Sequence, residues 1–409
     1  MKKIAFLTPH YLPSALSGSG IVVMKLAKQF AKEGYDVSII TSSALTTRYW
    51  YDPIFGKSVK EKFSKIDTVK IYRLSCNQFF SSVLFAINKF FGSHIPKKWK
   101  EYVAIMSSGP YFQGLQEFLQ SHRFDVIHVS PAPLAMNIQL VAACKKLTKK
   151  PKIIFTPFFH THVKTFTNPK LKEVCNDVEE IHVISQAEKA DMIQAFSLDI
   201  AKFHVIPLFL DTTGMHDIKS LSTDVATFKE KYGLENRKIV LFAGIKGKDK
   251  GAIDVMIAVD KMFRKDHRYI LLALGSDTPE WTRVKKDIDE RCLLDLGYKT
   301  GKEKEIIFSA CDVFCMPSKS ETFGMVYLEA WHKKKPVIAA QSNAVAELIG
   351  SDGLLVPYGD IPALIHAISF IDKKTLTLQM LGKKGYNALM KRYTFQKVFT
   401  RYRKLFMQA

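Results

Sequence analysis

Two glutamates with seven residues between them mark the stretch of this sequence whose residue types and spacing best suit chemistry. Glu321 lies in a short polar loop that follows an apolar β-rich segment, Cys311 to Met316. Glu329 lies in the helical run after that loop, from about Met325 to Lys335. A strand, a loop and a helix N-terminus in this order build an anion site, because the first N–H groups of the helix lack intrahelical partners and its dipole is positive there. The stretch therefore predicts that a phosphate and a polyhydroxylated group are held side by side.

The backbone amides at the start of this helix are the predicted phosphate ligands. Gly324 has no Cβ, so the backbone at this position can approach a ligand closely. The residues that offer these N–H groups are Phe323, Gly324, Met325 and Val326.

The elements that must position these residues alternate between strands and helices in two series. Residues 3 to 42 read as strand, loop, helix and strand, and alternation resumes from residue 124 to residue 207. A second series runs from residue 237 to residue 357. Such alternation predicts an α/β protein with two doubly wound parallel sheets, joined near residues 207 to 219. A ligand is expected between the carboxyl ends of the two sheets.

Length and composition agree with two intracellular domains. A chain of 409 residues suits two domains of about 200 residues each. Its first residues lead into an apolar strand, IAFLTP, without a signal-peptide pattern, and no apolar run is long enough to span a bilayer. The six cysteines are scattered and indicate neither a disulfide framework nor a zinc site. We therefore expect a cytoplasmic protein.

The chain is strongly basic. Sixty Lys and Arg residues against thirty-nine Asp and Glu residues give a formal net charge of +21, which predicts attraction to phosphate-rich surfaces. A nucleic-acid partner would require a recognisable binding module or basic stripes interleaved with aromatic residues. Neither is found in the sequence, so no nucleic-acid partner is predicted.

The run E-T-F-G-M-V-Y-L-E-A, followed by K-P-V-I-A at residues 335–339, resembles the donor-site motif of the retaining GT-B glycosyltransferases of family four, the "group 1" transferases. The resemblance implies that Glu329 holds the ribose hydroxyls of a nucleotide sugar. It places Glu321, as a catalytic residue, near the transferred sugar, and the intervening amides against the sugar and diphosphate. It also implies two Rossmann-like domains facing across a cleft. These are an acceptor domain over residues 1–209, to which a C-terminal helix at 390–409 returns, and a donor domain over residues 210–389.

Further residues take roles from the same resemblance. His160, after a strand in the first series, corresponds to a catalytic histidine in the family's cleft, with His162 as a weaker candidate. In the loop GIKGKDKG the family's arginine is replaced by Ile245, so Lys246 or Lys248 is expected to substitute as a point charge. The other donor-binding residues implied are Gly20, Gly244, Lys250, Gly297 and Tyr298.

No metal and no cofactor besides the donor is expected. The only D-x-D run is Asp287-Ile288-Asp289, which reads as the solvated face of a charged helix. Lysines and a helix N-terminus can neutralise the departing diphosphate instead, in agreement with the metal-independent chemistry that the resemblance implies.

The leading hypothesis is a retaining glycosyltransferase that moves a sugar from a UDP- or GDP-sugar to an envelope glycan or a lipid-linked acceptor. The alternatives are a nucleotide-sugar epimerase, a non-catalytic basic binding protein, and a glycoside hydrolase that uses Glu321 and Glu329 as acid and nucleophile. Carboxylates beside a helix N-terminus are held ionised, which disfavours the hydrolase because its general acid must be protonated.

An apolar stripe in the first series predicts a membrane-facing helix. Phe79, Val83, Ile87 and Phe90 recur at helical spacing, and Phe80, Leu84 and Phe91 lie beside them. A basic run, Lys97-Lys98-Trp99-Lys100, follows, and this pattern over residues 79–100 is typical of an interfacial helix at an anionic membrane surface. Helices with an apolar face more often line a core, so both interpretations stay open. The first would place the protein peripherally on the inner face of the cell membrane.

Overall fold

The computed structural model describes residues 1–11, 18–52, 54–91, 94–160, 163–373 and 375–408. Its chain divides into two compact units, Met1–Ile206 with Arg401–Ala409 and Pro207–Thr400. The expected division gave residues 207–209 to the first domain and the whole of 390–409 to its returning helix. Residues 390–400 instead belong to the second unit, in which Leu210 N–H donates to Tyr393 O at 2.8 Å and Phe395 N–H donates to Leu210 O at 3.0 Å.

The first unit contains eight strands and seven helices within the residues described, and the end of a further helix. The strands are β1 Lys3–Leu7, β2 Asp36–Ser42, β3 Phe63–Ile66, β4 Val69–Leu74, β5 Val126–Val129, β6 Lys152–Phe155, β7 Glu180–Val183 and β8 Phe203–Val205. The helices are α1 Gly18–Lys32, α2 Gln78–Phe91, α3 Lys97–Met106, α4 Leu115–His122, α5 Ala135–Lys145, α6 Pro169–Asp177 and α7 Gln186–Phe196.

The first sheet has the order β3-β4-β2-β1-β5-β6-β7-β8, and its pairings are parallel except for the β3–β4 hairpin at one edge. Its central strands are buried on both faces, as expected for apolar strands covered by helices. The hairpin falls in residues 46 to 121, where the sequence shows no regular alternation. Its turn places Asp67 at φ +55°, a conformation that Asp tolerates better than most residues.

The second unit contains six strands and nine helices within the residues described. The strands are β9 Lys238–Ala243, β10 Tyr269–Leu274, β11 Leu293–Gly297, β12 Val313–Met316, β13 Val337–Ala340 and β14 Leu354–Val356. The helices are α8 Ser222–Lys231, α9 Ala252–Phe263, α10 Pro279–Val284, α11 Gly301–Ala310, α12 Met325–His332, α13 Asn343–Ile349, α14 Ile361–Lys373, α15 Thr375–Ala388 and α16 Phe395–Met407, the last of which ends in the first unit.

The second sheet has the order β11-β10-β9-β12-β13-β14, with every described pairing parallel. The direction of winding reverses between β9 and β12, so the carboxyl edge between these two strands is a topological switch point. Open α/β sheets bind ligands at such a switch point. The loop after β12 carries Glu321, so the fold brings the two-glutamate stretch to this edge.

One predicted helix is wrong. The run TRVKKDIDER was expected to continue a charged helix through Asp287 and Asp289, but α10 ends at Val284 and short 3-10 turns follow. Asp289 caps the second of these turns by accepting a hydrogen bond from Arg291 N–H at 3.0 Å. Aspartate competes with helical hydrogen bonding in this way, which is why such residues interrupt helices.

None of the helices in the described part of the chain combines the length and the apolarity needed to cross a bilayer.

Candidate functional site

The loops after β9 and β12 meet at the switch point of the second sheet. Lys250, in the first loop, places its Nζ 2.8 Å from Glu321 Oε2 and donates a second hydrogen bond to Ser320 O at 2.9 Å. The two backbones are also joined, because Lys319 N–H donates to Asp249 O at 2.8 Å. The structure therefore brings together Glu321 and Lys250, two residues selected from separate parts of the sequence.

Two glycines permit this close approach of loops and helices. Gly251 precedes α9 at φ +74°, and a Cβ there would lie 2.5 Å from Pro317 O. Gly324 precedes α12 at φ +85°, and a Cβ there would lie 2.3 Å from the ring of Tyr327. That ring is held in place, since the Tyr327 hydroxyl donates to Met316 O at 2.6 Å. No other residue type fits either position without displacing a neighbour.

The N-terminus of α12 presents the predicted amides. Tyr327 N–H bonds to Gly324 O at 3.0 Å, so the N–H groups of Gly324, Met325 and Val326 precede the first intrahelical bond. The Phe323 side chain is buried and meets the Tyr393 ring edge-on at 5.9 Å between centroids. Phe323 thus anchors the loop through its ring, while its backbone belongs to the turn that opens the helix.

Glu329, on the first turns of α12, is paired with a lysine that the sequence does not single out. Lys304, on α11, donates to Glu329 Oε1 at 2.8 Å. The second oxygen, Oε2, lies 2.6 Å from the same ammonium but makes no hydrogen bond with the residues described, although it is buried. Lys304 thus neutralises the whole carboxylate, and a hydroxyl ligand of Glu329 would share it with this ammonium.

Lys246 is not brought together with the other phosphate candidates. Its side chain is fully buried, and the ammonium pairs with Asp295 and with Asp277, the latter at 2.5 Å. It also lies over the Trp281 ring, 5.2 Å from the centroid. Burial alone would raise the pKa of Asp295, but hydrogen bonds from Lys246, Lys285 and Trp281 lower it. A lysine held in this way is a structural cation, and Lys248, the alternative candidate, is exposed.

The remaining candidates of the second unit lie at the ends of β9 and β11, the two strands that flank β10. Gly244 follows β9, and its N–H donates to Leu274 O at 3.0 Å. Gly297 ends β11 at φ +65°, and its carbonyl accepts from Gly275 N–H at 2.8 Å. Tyr298 follows with an exposed ring, available for stacking against a planar group. All of these positions are at the carboxyl edge of the sheet.

In the first unit, His160 follows β6 and Gly20 lies in the first turn of α1. The sequence predicts a loop that runs to Gly20, but in the structure α1 begins at Gly18. His160 is half-buried, with its ring edge-on to Phe166 at 5.4 Å. His162, the weaker candidate, lies outside the described residues.

Glu188 fixes the backbone beside His160. This buried carboxylate, on α7, accepts hydrogen bonds from Phe159 N–H at 2.6 Å and Ile184 N–H at 2.7 Å. It therefore ties the loop after β6 to the end of β7. Burial raises the pKa of Glu188 from its ordinary 4.5 to about 7, helped by Asp191 and opposed by the two backbone hydrogen bonds. The only sequence signal for this contact is that Glu188 lies three residues after Ser185, the N-cap residue of α7.

The shifted pKa of Glu188 predicts a pH-dependent contribution to stability. A carboxyl group whose pKa is raised on folding stabilises the protein while it is protonated, and this contribution is lost as pH rises from about 4.5 to about 7. We expect the free energy of unfolding of the parent, minus that of Glu188→Gln, to fall across this range and then level off. Urea melts of both proteins from pH 4.5 to 8 measure it, and a flat or rising difference would contradict the expectation.

Among the residues that the structure describes, no three His, Cys, Asp or Glu side chains are grouped so as to hold a metal ion. Asp289 of the D-x-D run is engaged by Arg291, whose guanidinium lies 2.7 Å from it.

Comparison with protein families gives two matches, one in each half of the chain. Residues 92–213 match the model described as "Glycosyltransferase Family 4", and residues 237–372 match the model described as "Glycosyl transferases group 1". The second match contains the whole carboxyl-edge site, including both glutamates.

Individual relatives are distant. An MMP alpha-(1->4)-mannosyltransferase of Mycolicibacterium hassiacum is 23% identical over 234 residues, which is 56% of this chain and 53% of that protein. The matched region thus spans about half the length of that curated relative.

Solved structures match over the whole chain. Sucrose-phosphate synthase from Thermosynechococcus elongatus has a TM-score of 0.72 at 18% identity, with 100% of both chains covered. Anabaena HepE in complex with UDP-glucose has a TM-score of 0.69 at 15% identity, also with 100% of both covered. The predicted fold class, α/β with two Rossmann-like units of the GT-B type, is confirmed by these likenesses.

Proposed function

Since this chain belongs to the group 1 glycosyltransferases of family four, we propose that it transfers a sugar, with retention of configuration, from a nucleoside diphosphate sugar to an envelope glycan or a lipid-linked acceptor. The observation that carries the proposal is the switch point of the second sheet, where Lys250, Glu321 and the amides of α12 converge and Glu329 follows on the same helix.

We assign the diphosphate to the N-terminus of α12. The helix N–H groups point at this position, and Lys250 adds an ammonium from the facing loop. Lys250 is hydrogen-bonded to Glu321, so a bound diphosphate would compete for the ammonium and leave the carboxylate free to accept from a sugar hydroxyl. Because Lys246 is held by Asp277 and Asp295, the exposed Lys248 is the remaining candidate to replace the arginine charge that is missing at Ile245.

We assign the ribose to Glu329. Its carboxylate is held by Lys304 alone among the side chains recorded in contact with it, and an ionised carboxylate has lone pairs left to accept hydrogen bonds from two ribose hydroxyls. The base then lies toward the end of β11, where Tyr298 offers an aromatic face and Gly297 leaves room beside it. HepE is described in complex with UDP-glucose, which supports a UDP-sugar as the first donor to test.

In the proposed reaction the acceptor hydroxyl attacks the anomeric carbon from the face that the diphosphate leaves, and a phosphate oxygen takes its proton. The protein contributes orientation and charge. Lys250 and the α12 amides stabilise the negative charge that grows on the departing diphosphate, Glu321 orients the sugar, and His160 hydrogen-bonds to it. We propose that these residues supply enough positive charge for transfer without a metal ion.

The test is release of free UDP or GDP from a panel of nucleotide sugars, measured with and without an envelope lipid extract as acceptor. We expect release that requires the acceptor and that persists in EDTA, with an axial anomeric bond in the product if the donor's is axial. Release of free sugar without acceptor would indicate a hydrolase, and a changed donor sugar without nucleotide release would indicate an epimerase. Glu329→Ala serves as the binding-deficient control.

A further inference from the structure

The first unit exposes a group of large apolar side chains on α2 and α3. We call this group the α2 patch; its members are Phe79, Val83, Phe90, Phe91 and Trp99. The exposed fractions are 79% for Phe79, 67% for Phe90, 60% for Phe91 and 61% for Trp99. Single exposed apolar residues are ordinary, but several aromatic rings on one helix and its neighbour mark an interaction surface.

The patch is not an incomplete part of the core, because α2 has a second apolar face that already fills this role. Leu84 is buried in the hydrophobic core of the unit, and Phe80 and Ile87 pack against it. At 100° per residue these three lie within one sector of the helix, while Phe79, Val83 and Phe90 lie together in another. The sequence stripe thus separates into a face that lines the core and a face that is exposed.

The helix that carries the patch is firmly attached to the rest of the unit. Ser82 Oγ donates to Tyr51 O at 2.5 Å, and Gln78 Nε2 donates to Tyr49 O at 2.7 Å. The Tyr51 ring also stacks on Phe85 at 4.5 Å between centroids. A surface fixed in this way keeps its aromatic rings displayed, rather than folding them back onto the protein.

The loop that supports α2 extends the apolar surface. Ile54 and Phe55 follow Tyr51 along the chain, and both are exposed. The Arg48 guanidinium lies over the Phe55 ring, 5.0 Å from its centroid. The same guanidinium is paired with Asp52 at 2.6 Å, so this loop adds apolar side chains to the surface without adding net charge.

The sequence of α2 and the start of α3 is basic. Residues 76 to 100 contain four lysines and no Asp or Glu, within a chain of net charge +21. The Lys89 ammonium lies 5.5 Å from the centroid of the Phe90 ring, inside the patch. An anionic bilayer matches both features of this surface, because it offers phosphates to the lysine and a continuous apolar layer to the exposed rings.

We propose that the α2 patch docks the protein on an anionic lipid surface, with Phe79, Val83, Phe90 and Trp99 entering the headgroup boundary and Lys89 and Lys100 contacting lipid phosphates. The purpose of docking rests on the proposed function, because docking would bring the enzyme to a lipid-linked acceptor. Docking itself requires no turnover, so it is measured independently of transfer.

The test is co-sedimentation of the protein with vesicles of phosphatidylcholine containing phosphatidylglycerol, against vesicles of phosphatidylcholine alone. We expect binding to the mixed vesicles that weakens between 50 mM and 500 mM NaCl, because exposed charges are screened over this range. Combining Phe79→Ser and Phe90→Ser should lower the partition coefficient at least about tenfold, since two rings leave the apolar phase.

Two controls keep the result specific. Ile200→Ser removes an apolar side chain of similar exposure, 60%, from a 3-10 turn outside the patch, and should bind vesicles as the parent does. Thermal melts check that each variant is folded, and variants at Trp99 and Phe91 replace any that is not. Equal binding of parent and Phe79/Phe90 variant, or equal binding to both vesicle types, would overturn the proposal.

Sedimentation equilibrium without lipid tests the main rival occupant, a second copy of the chain. A dimer that the Phe79 and Phe90 substitutions dissociate would assign the patch to self-association and overturn the lipid assignment. Failure of vesicle binding in a protein that still transfers sugar to a soluble acceptor would reject docking and leave the proposed function intact. Vesicle binding by a protein that transfers no sugar would support docking and reject the proposed function.

Discussion

Replacing Glu329 with alanine is expected to weaken the binding of UDP or GDP by roughly 10²- to 10⁴-fold. A carboxylate that bridges two ribose hydroxyls makes two charge-assisted hydrogen bonds worth roughly 1.5–3 kcal/mol each, and every 1.4 kcal/mol is about a factor of ten in affinity. The substitution also leaves the Lys304 ammonium without its partner, but this group is partly exposed and can be solvated. Isothermal titration with the free nucleoside diphosphate measures the effect without requiring an acceptor.

Glu321→Gln is the matched control for this experiment. It removes a negative charge from the same stretch and frees Lys250, but it leaves the proposed ribose ligand in place. We expect it to bind nucleotide about as well as the parent and to turn over more slowly, because Glu321 is assigned to the transferred sugar. Parent-like affinity in Glu329→Ala would show that the donor site is wrongly assigned, whatever the activity of the variant.

Replacing His160 with alanine is expected to lower the transfer rate by roughly 10²- to 10³-fold, the usual loss when one hydrogen-bond donor to a transition state is removed. Nucleoside diphosphate affinity should stay close to that of the parent, because every residue assigned to the nucleotide belongs to the second unit. Single-turnover rates at saturating donor, combined with titration of the nucleotide, separate the two effects.

A variant of Phe166, which contacts His160, is the control for the His160→Ala experiment. Phe166→Leu alters the ring that His160 contacts edge-on but retains the imidazole, so a smaller loss of rate is expected. A folded His160→Ala protein that keeps most of the parental rate would remove this residue from the reaction.

The parts of the site predicted from sequence are those in which chemistry and local structure coincide. The two-glutamate stretch contains its own strand, glycine and helix start, so its anion site and the amides of α12 follow from a single continuous segment. Lys250 could be selected in the same way, because a loop rich in glycine and lysine after a strand favours phosphate.

The parts that sequence could not predict depend on pairs of residues far apart in the chain. Lys246 looks like a phosphate ligand until the fold brings Asp277 and Asp295 to its ammonium. Lys304 has no motif of its own and becomes relevant only through its contact with Glu329, and Glu188 through its contact with Phe159. Spacing along the sequence has no information about such convergence, which arises from the packing of separate elements.

The same limit explains the α2 helix. Its sequence is apolar around most of its circumference, so periodicity could not distinguish a core helix from a surface helix. Only the packing of Leu84, a residue of α2, in the hydrophobic core of the first unit shows which face is covered. For the β3–β4 hairpin the cause is different, because its strands are short and their apolar alternation is weak.

The tight fit around Gly251 and Gly324 limits how this scaffold can evolve. At each position an added methyl group would meet backbone or a ring already fixed by a buried hydrogen bond, so substitution there would damage folding before it altered donor preference. Selection for a new donor must therefore act on outward-facing side chains of the same edge, such as Ile245 and Tyr298, which can change without moving the backbone. Related chains are expected to share the two glycines and to diverge at those two exposed positions as their sugars diverge.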